Sequence, residues 1–299
     1  MVVFSQVVDE GGISLAAKKL NVSKSVVSQQ LKALENELGV TLILRNTRSQ
    51  KLTTAGERFY EHCTSLNNIV TTAWDEARER QGLLLGKISV SSPNALIEPV
   101  VAPALGKLVE KHVGITPTLL GDDQRVGIIN KGIHVAIRVG DMPNSEYKQR
   151  KIGEFRDVLC ASPAYVAKYA IDQATLLSQK GEEIKVNYIA NSWQGSHITH
   201  LMSSKKKGKS VKLKFSANRM CNSLPAVIEM ACAGCGFAYI PNFTFNEYRL
   251  AGKLIEVMPD YLGEIAPVYA VHAYVGKMPN IAKVTIDAIQ QQMANLTSC

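Results

Sequence analysis

Val27, Leu31, Leu34 and Leu38 recur at spacings of four, three and four residues. That interval returns a side chain to one side of an α-helix, so the segment needs one face buried and one face free. Ser23 precedes the run, where a hydroxyl satisfies a free backbone N–H, and Gly39 follows it, where a left-handed residue is favoured. Upstream, Ser14 is the expected cap of a shorter helix carrying Ala16, Ala17 and Leu20, and Asn21-Val22-Ser23 makes the turn between the two. The free face of the second helix holds Lys24, Ser25, Ser28, Gln29 and Lys32, with no carboxylate before Glu35. Side chains of these types read base edges and phosphates. Two short helices joined this way form a helix-turn-helix, whose second helix enters the major groove. These residues alone also fit an amphipathic helix pair that binds nothing.

The following residues narrow the choice. Residues 41–45 and 51–54 read as a short hairpin around the polar tip Asn46-Thr47-Arg48-Ser49-Gln50. A basic tip beside such a helix is a wing that tracks phosphates. Thr54-Ala55-Gly56-Glu57 opens a long helix reaching about Gly82. On it Phe59, Cys63, Leu66, Val70, Ala73 and Ala77 alternate spacings of four and three, the seam of a two-stranded coiled coil. The same stripe would serve a helix packed on its own domain, but its place between a head and a larger domain favours dimerisation. Gln81-Gly82 and Gly86 mark a hinge.

The segment FSQVVDEGGISLAAKKLNVSKSVVSQQLKALENELGVTLILRNTRSQKLTTAGERFY resembles the N-terminal winged helix-turn-helix of the LysR-type transcriptional regulators. Phe4, Val7, Ala16-Ala17, Leu20, Ser23, Val27-Ser28, Leu34-Glu35, Leu38-Gly39, Leu42, Arg45, Leu52-Thr53 and Ala55-Gly56 carry the match. Gly12-Ile13-Ser14 stands where the family usually has Gly-Ser-Phe, and Ile43-Leu44 replaces its more usual Phe-x before Arg45. The resemblance continues weakly through the rest of the chain. It implies a partner in double-stranded DNA with a pseudo-palindromic site, a small-molecule effector, a homodimer or homotetramer, and RNA polymerase at the promoter. Lys24, Ser25, Ser28 and Gln29 are then the candidates for base readout, and Ser23, Lys32, Arg45, Arg48 and Thr53 for phosphate contact.

Beyond Lys87 the pattern becomes strands alternating with helices, which implies mostly parallel sheets with helices on both faces. Strands are expected near 88–91, 116–120, 135–139, 158–161, 186–189, 211–215, 237–240 and 268–274, and helices near 97–112, 124–131, 163–169, 224–233 and 281–294. In the family this region forms two α/β lobes joined by two crossovers, like periplasmic solute-binding proteins. The expected fold is therefore a winged helix-turn-helix (1–54), a linker or dimerisation helix and hinge (55–86), effector lobe I (87–161 plus 267–299) and effector lobe II (162–266). Residues 160–165 look like the outward crossover and 264–267 like the return.

In open α/β sheets ligands sit beyond the carboxyl ends of the strands. The first strand runs into Ser91-Ser92-Pro93-Asn94, and Asn222-Ser223 likewise precedes a helix. Free N–H groups at two such helix starts favour a small carboxylate or similar anion, unless they are ordinary caps. Arg138 ends the third strand and points the same way. By resemblance, the first-strand serines, the residues after the third strand and Asn191-Ser192-Trp193 line the family's effector cleft. His134 replaces the Asp common in relatives before Val135-Ala136.

Composition adds limits. The net charge is +8 and the pI about 9.1, which suits a polyanion partner. Yet residues 1–54 hold seven Lys or Arg against four acids and residues 55–86 three against five, so most of the excess lies C-terminal. Much of it is Lys205, Lys206, Lys207, Lys209, Lys212 and Lys214, read as a lysine-guarded hairpin or loop edge, or as a second DNA contact. No apolar run is long enough to span a membrane, and the start lacks the basic region of a secretory signal, so a cytoplasmic, nucleoid-associated protein is expected. Cys232-Ala-Gly-Cys235 has no second C-x-x-C and no His pair, so no metal is expected. Those two cysteines read as small packing residues, or as a thiol sensor. No Walker A loop, G-x-S-x-G elbow or H-E-x-x-H is present, so neither catalysis nor a cofactor is expected. A solute-binding receptor made of the lobes alone is the alternative of another class.

Overall fold

The computed structural model describes residues 1–45, 50–79, 84–123, 132–140, 147–179, 181–206, 210–274 and 277–297. Helices α1 (Val2–Asp9), α2 (Ile13–Leu20) and α3 (Lys24–Leu38) enclose a core of Phe4, Val7, Ala16, Ala17, Val27 and Leu31. Ser23 Oγ accepts from the Val26 N–H at 3.3 Å, and Gly39 closes α3 at φ +68°, as the sequence predicts. The Ser14 cap is corrected: α2 starts at Ile13, behind Gly12, with no side-chain cap bond. The buried face of α3 is also shorter than its period, because Leu34 is half-buried and Leu38 is 41% exposed.

Strands β1 (Ile43–Arg45) and β2 (Gln50–Leu52) pair antiparallel from Ile43 opposite Leu52 to Arg45 opposite Gln50. The wing tip, Arg48 included, lies outside the described residues. Helix α4 (Thr54–Glu79) is roughly 39 Å long at 1.5 Å per residue. Its first half belongs to the head. The Phe59 ring lies 5.5 Å from that of Phe4, Cys63 is buried in the head core, the Tyr60 hydroxyl donates to Asp9, and Asn67 donates to Ser5 at 3.2 Å. Phe59 and Cys63 are therefore not seam residues, a correction to the coiled-coil reading. Their spacing is right, but their neighbour is the same chain.

The remaining elements are β3 (Gly86–Ser92), α5 (Asn94–Leu96), α6 (Ala102–Lys111), β4 (Ile115–Gly121), β5 (Val135–Val139), β6 (Lys148–Ala161), α7 (Pro163–Tyr169), α8 (Gln173–Ser178), β7 (Glu183–Ile184) and β8 (Ile189–Asn191). They continue with β9 (His197–Ser204), β10 (Ser210–Ser216), β11 (Arg219–Cys221), α9 (Leu224–Cys232), β12 (Ala238–Pro241), α10 (Asn242–Leu250), β13 (Ile255–Glu256), β14 (Tyr261–Leu262), β15 (Ile265–His272) and α11 (Asn280–Thr297). The helix expected at 97–112 is broken by a wide π turn over Ile97–Val101, where Pro99 has no N–H to donate. The helix expected at 124–131 lies outside the described residues, as does the Gln81-Gly82 hinge. Gly86 is the first residue of β3.

The main sheet has the order β12-β6-β15-β5-β3-β4, with β13 also on β6. β3 pairs parallel with β4 and β5, while β15 is antiparallel to β5 and β6. The second region holds the sheet β14-β9-β10-β7 and the pair β11-β8. The architecture is thus mixed, not mostly parallel: β15 runs antiparallel to β5 and β6, and β9 and β10 form a hairpin, one of the forms expected of the lysine-rich stretch. β6 is a single strand of 14 residues. It pairs with β15 up to Arg156 and with β12 from Asp157, so the chain crosses between lobes inside a strand, before the 160–165 stretch. Phe155 packs in one core with Ile88, Val90 and Ile286, whereas Leu159 and Cys160 join cores of the second region.

Candidate nucleic-acid interface and ligand cleft

The opposite side of α3 is free. Lys24, Ser25, Gln29 and Lys32 are exposed, and Val26 is 37% exposed beside them. Ser28 is only half-buried. The Ser23 and Ser25 hydroxyls are 2.8 Å apart, so both sit at the head of the helix where its dipole favours an anion. Backbone is described for Arg45 but not its side chain. Thr53 is reassigned. Its hydroxyl donates to the Thr41 carbonyl at 2.8 Å, so its proton is committed there and not to a phosphate, while its oxygen caps α4 by accepting from the Gly56 N–H at 2.9 Å.

Glu35 does more than end the basic face. Its carboxylate accepts from the Leu42 and Ile43 N–H groups at 2.8 and 3.1 Å, fastening the wing to the reading helix. On the far half of α4, Leu66, Ile69, Val70 and Trp74 are 45–63% exposed and Ala73 is exposed too. They form a stripe at i, i+3, i+4, i+7 and i+8 that the head leaves uncovered. The Ala77 side chain lies outside the described residues.

At the ends of β3 and β5, Ser91, Ser92 and Arg138 are all buried. The Arg138 guanidinium donates to Ser91 Oγ at 3.2 Å and to the Ile137 carbonyl at 2.8 Å. Ser92 Oγ donates to the Pro93 carbonyl and does not cap α5. The start of α5 is already filled, because the Asp123 carboxylate accepts from the Asn94 N–H and from its side-chain amide, each at 2.9 Å. The expectation of a free anion site there is corrected: the chain supplies the anion itself. His134 acts structurally, its Nδ1 accepting from the Ser89 N–H at 2.9 Å.

In the second lobe Asn191 is buried and begins a 3-10 turn, its N–H bonded to Gln194 Oε1 at 2.9 Å. Trp193 is 65% exposed, Asn222 is exposed, and Ser223 precedes α9 without a side-chain cap bond. Ala95 of α5 packs against the cluster holding Ile189 and Leu224, so the starts of α5 and α9 share one neighbourhood.

The core of the second region also holds polar side chains that the sequence did not single out. Tyr188 Oη and His200 Nε2 are 2.7 Å apart, and the His200 and Tyr239 rings are 3.9 Å apart. Burial lowers His200 to about 4 and raises Asp157, in β6, to about 7. The only prior signal was the alternation Ile198, His200, Met202. Cys160, Cys221, Cys232 and Cys235 gather on one apolar cluster, and burial pushes the Cys160 and Cys232 thiols up. No group of three or more metal-ligating side chains occurs among the described residues, and none of their helices is long and apolar enough to cross a membrane.

Residues 1–57 match the family model described as bacterial regulatory helix-turn-helix protein, lysR family, and residues 81–294 match the LysR substrate binding domain. The chain is 28% identical over 292 residues to the HTH-type transcriptional activator AaeR of Escherichia coli, covering 97% of this chain and 91% of that one. It is 25% identical over 296 residues to the transcriptional regulator CrgA of Neisseria meningitidis, covering 99% and 96%. Among solved structures, the full-length virulence activator AphB of Vibrio cholerae superposes at TM-score 0.62 and 24% identity over 96% of both chains. ArgP of Mycobacterium tuberculosis superposes at 0.70 and 16% over 98% and 96%.

Proposed function

The chain belongs to the LysR family of DNA-binding transcriptional regulators, which are not enzymes, and from that premise we propose how its parts divide the work. The head reads DNA with Lys24, Ser25, Ser28 and Gln29 at base edges, while Ser23, Lys32, Arg45 and Arg48 hold phosphates. The exposed stripe Leu66, Ile69, Val70, Ala73 and Trp74 joins two chains through α4, so two heads meet a pseudo-palindromic site. The divisions are 1–54 for the head, 55–86 for the linker, 87–161 with 267–299 for lobe I and 162–266 for lobe II. The packing of Phe59 and Cys63 ties the start of the linker to the head. Assembly to a tetramer and contact with RNA polymerase complete the reading.

The observation that carries the ligand half is the buried guanidinium of Arg138 beside Ser91. A buried cation at the strand ends suits a small carboxylate. Ser91, Ser92 and Arg138 from one lobe and Asn191, Trp193, Asn222 and Ser223 from the other enclose it, and closure reorients the heads. Asn94 is not a direct ligand contact in this reading, because Asp123 occupies its donors. The thiol-sensor alternative at Cys232 and Cys235 is disfavoured at Cys232, because burial pushes that thiol up and leaves little reactive thiolate.

A gel-shift salt series tests the head. Gln29→Ala is expected to relax sequence preference, while Arg48→Ala weakens binding to every duplex and lowers the salt slope by about one. Equal loss of specificity in both variants would contradict these roles.

A further inference from the structure

Residues 184–228 contain eight Lys or Arg and no Asp or Glu, so the whole net charge of +8 resides there and the rest of the molecule, head included, sums to zero. The structure puts much of this charge on one face. In the β9–β10 hairpin Ile198, His200, Met202, Val211, Leu213 and Phe215 turn inward and are buried. The alternate residues turn outward, with Lys214 opposite Thr199, Lys212 opposite Leu201 and Ser210 opposite Ser203, all exposed. Lys205 and Lys206, also exposed, continue the face at the turn. Lys212 and Lys214 lie about 7 Å apart along the strand, about twice the axial spacing of phosphates on one DNA strand.

Acids border the face among the described residues: Glu183 pairs in register with Lys214, Glu256 lies 4.0 Å from Lys205, and the Asp260 carbonyl accepts from the Lys205 backbone N–H at 2.8 Å. Among the described residues no ion pair engages Lys206 or Lys212. Guarding a strand against aggregation accounts for a few lysines. It does not require 45 residues without an acid, because a mixture of both signs solvates a surface equally well.

We propose that this outer face of lobe II is a second DNA-backbone contact, engaged by duplex that flanks the site read by the heads. The inference rests on the DNA-binding function of the family. Lysine with serine and threonine is the set that holds phosphates. An interface for a protein partner is instead depleted in lysine and built on aromatic or arginine anchors. Among the described residues the large apolar side chains on this face are Leu201, 42% exposed, and Leu262, 37% exposed opposite Ser203. Docked heads raise the local concentration of duplex at the lobe, so a weak contact suffices.

The test uses the full chain, a long duplex carrying a selected site, and the same site trimmed to the heads' footprint. Lys205→Gln/Lys206→Gln/Lys212→Gln/Lys214→Gln is compared with Lys87→Gln/Lys111→Gln/Lys168→Gln/Lys283→Gln, which removes equal charge elsewhere. The hairpin variant is expected to lower the salt slope on the long duplex by about two to four per protomer. It changes nothing on the trimmed one, the control variant keeps the wild-type slope, and replacing the same four lysines by arginine restores binding. Equal slopes for hairpin and control variants overturn the proposal, as does wild-type affinity indifferent to flank length; either result leaves the heads' own binding intact. A hairpin variant that binds the long duplex normally but loses RNA polymerase would make the face a protein site, and the proposal fails.

Discussion

Glu35 accepts two backbone N–H groups from the wing's first strand while standing on the reading helix. Glu35→Ala leaves both donors without this partner, a loss of about 1–3 kcal/mol, and frees the wing from its angle to α3. The expected outcome is a lower melting temperature and weaker binding to specific and random duplexes alike, with base preference kept. Selective loss of preference would contradict it. A helical period shows only which residues share a face, so bonds from Glu35 to residues seven and eight positions on, across a turn, were not legible. Asp157 and His200 were hidden for a related reason: their titration depends on burial set by packing across two strands. Unfolded His200 takes a proton below its ordinary 6.5 while the folded one resists to about 4, so its stabilisation is lost as pH falls. Folded Asp157 keeps its proton to about 7 where the unfolded one loses it near 3.8, so its stabilisation is lost as pH rises. The slopes oppose each other between about pH 4 and 6.5. In Asp157→Asn the histidine contribution is no longer opposed by the aspartate, and the urea midpoint is expected to climb with pH across that window. A midpoint as flat as wild type would contradict the assignment.

Helix α4 carries one stripe, of which the head covers only the first part. Spacings of four and three announce a buried side whether the neighbour is the same chain or another, so the stripe was legible and its division was not. Ile69→Asp/Trp74→Asp is expected to give a folded monomer in sedimentation, with the head's melting unchanged. Phe59→Ala, by contrast, should cost the head about 2 kcal/mol, part of the penalty for deleting a fully buried ring. Dissociation by Phe59→Ala with an unchanged melt would reverse the division. Gly56, on the first turn, shows which effect wins at a contact. Alanine there gains up to about 1 kcal/mol in helix propensity. Its Cβ would sit 2.1 Å from the Leu42 carbonyl oxygen, a backbone atom that cannot rotate away. Gly56→Ala is therefore expected to lower the head's melting temperature, and a rise would show that the α4 start can shift. The β9–β10 hairpin was half legible: Val211 to Phe215 alternates, whereas Ile198, His200 and Met202 hid their alternation behind a polar residue that is buried.

Across the whole molecule, fold class could be read because the reading helix, the long stripe and the strand–helix alternation are local patterns. The cleft's chemistry could be read only in part, since Asp123 reaches Asn94 from a distant strand end. If Arg138 anchors a carboxylate while Asp123 repels one, the two should move affinity in opposite directions. Thermal shift against a panel of small carboxylates is expected to grow in Asp123→Asn and vanish in Arg138→Met; parallel changes would sink the cleft assignment. The lobes themselves are joined through β6 and β15, which stay hydrogen-bonded to each other up to the pair Arg156 and Ile265, one residue before β6 takes β12 as its partner. A joint made of a bonded ribbon has no free swivel. It behaves as a torsion spring, because two-stranded ribbons yield most readily in twist. A ligand that shuts the proposed cleft would wind that spring, and its departure would let the spring return the lobes, so the resting pose would be restored by the backbone itself without a second signal.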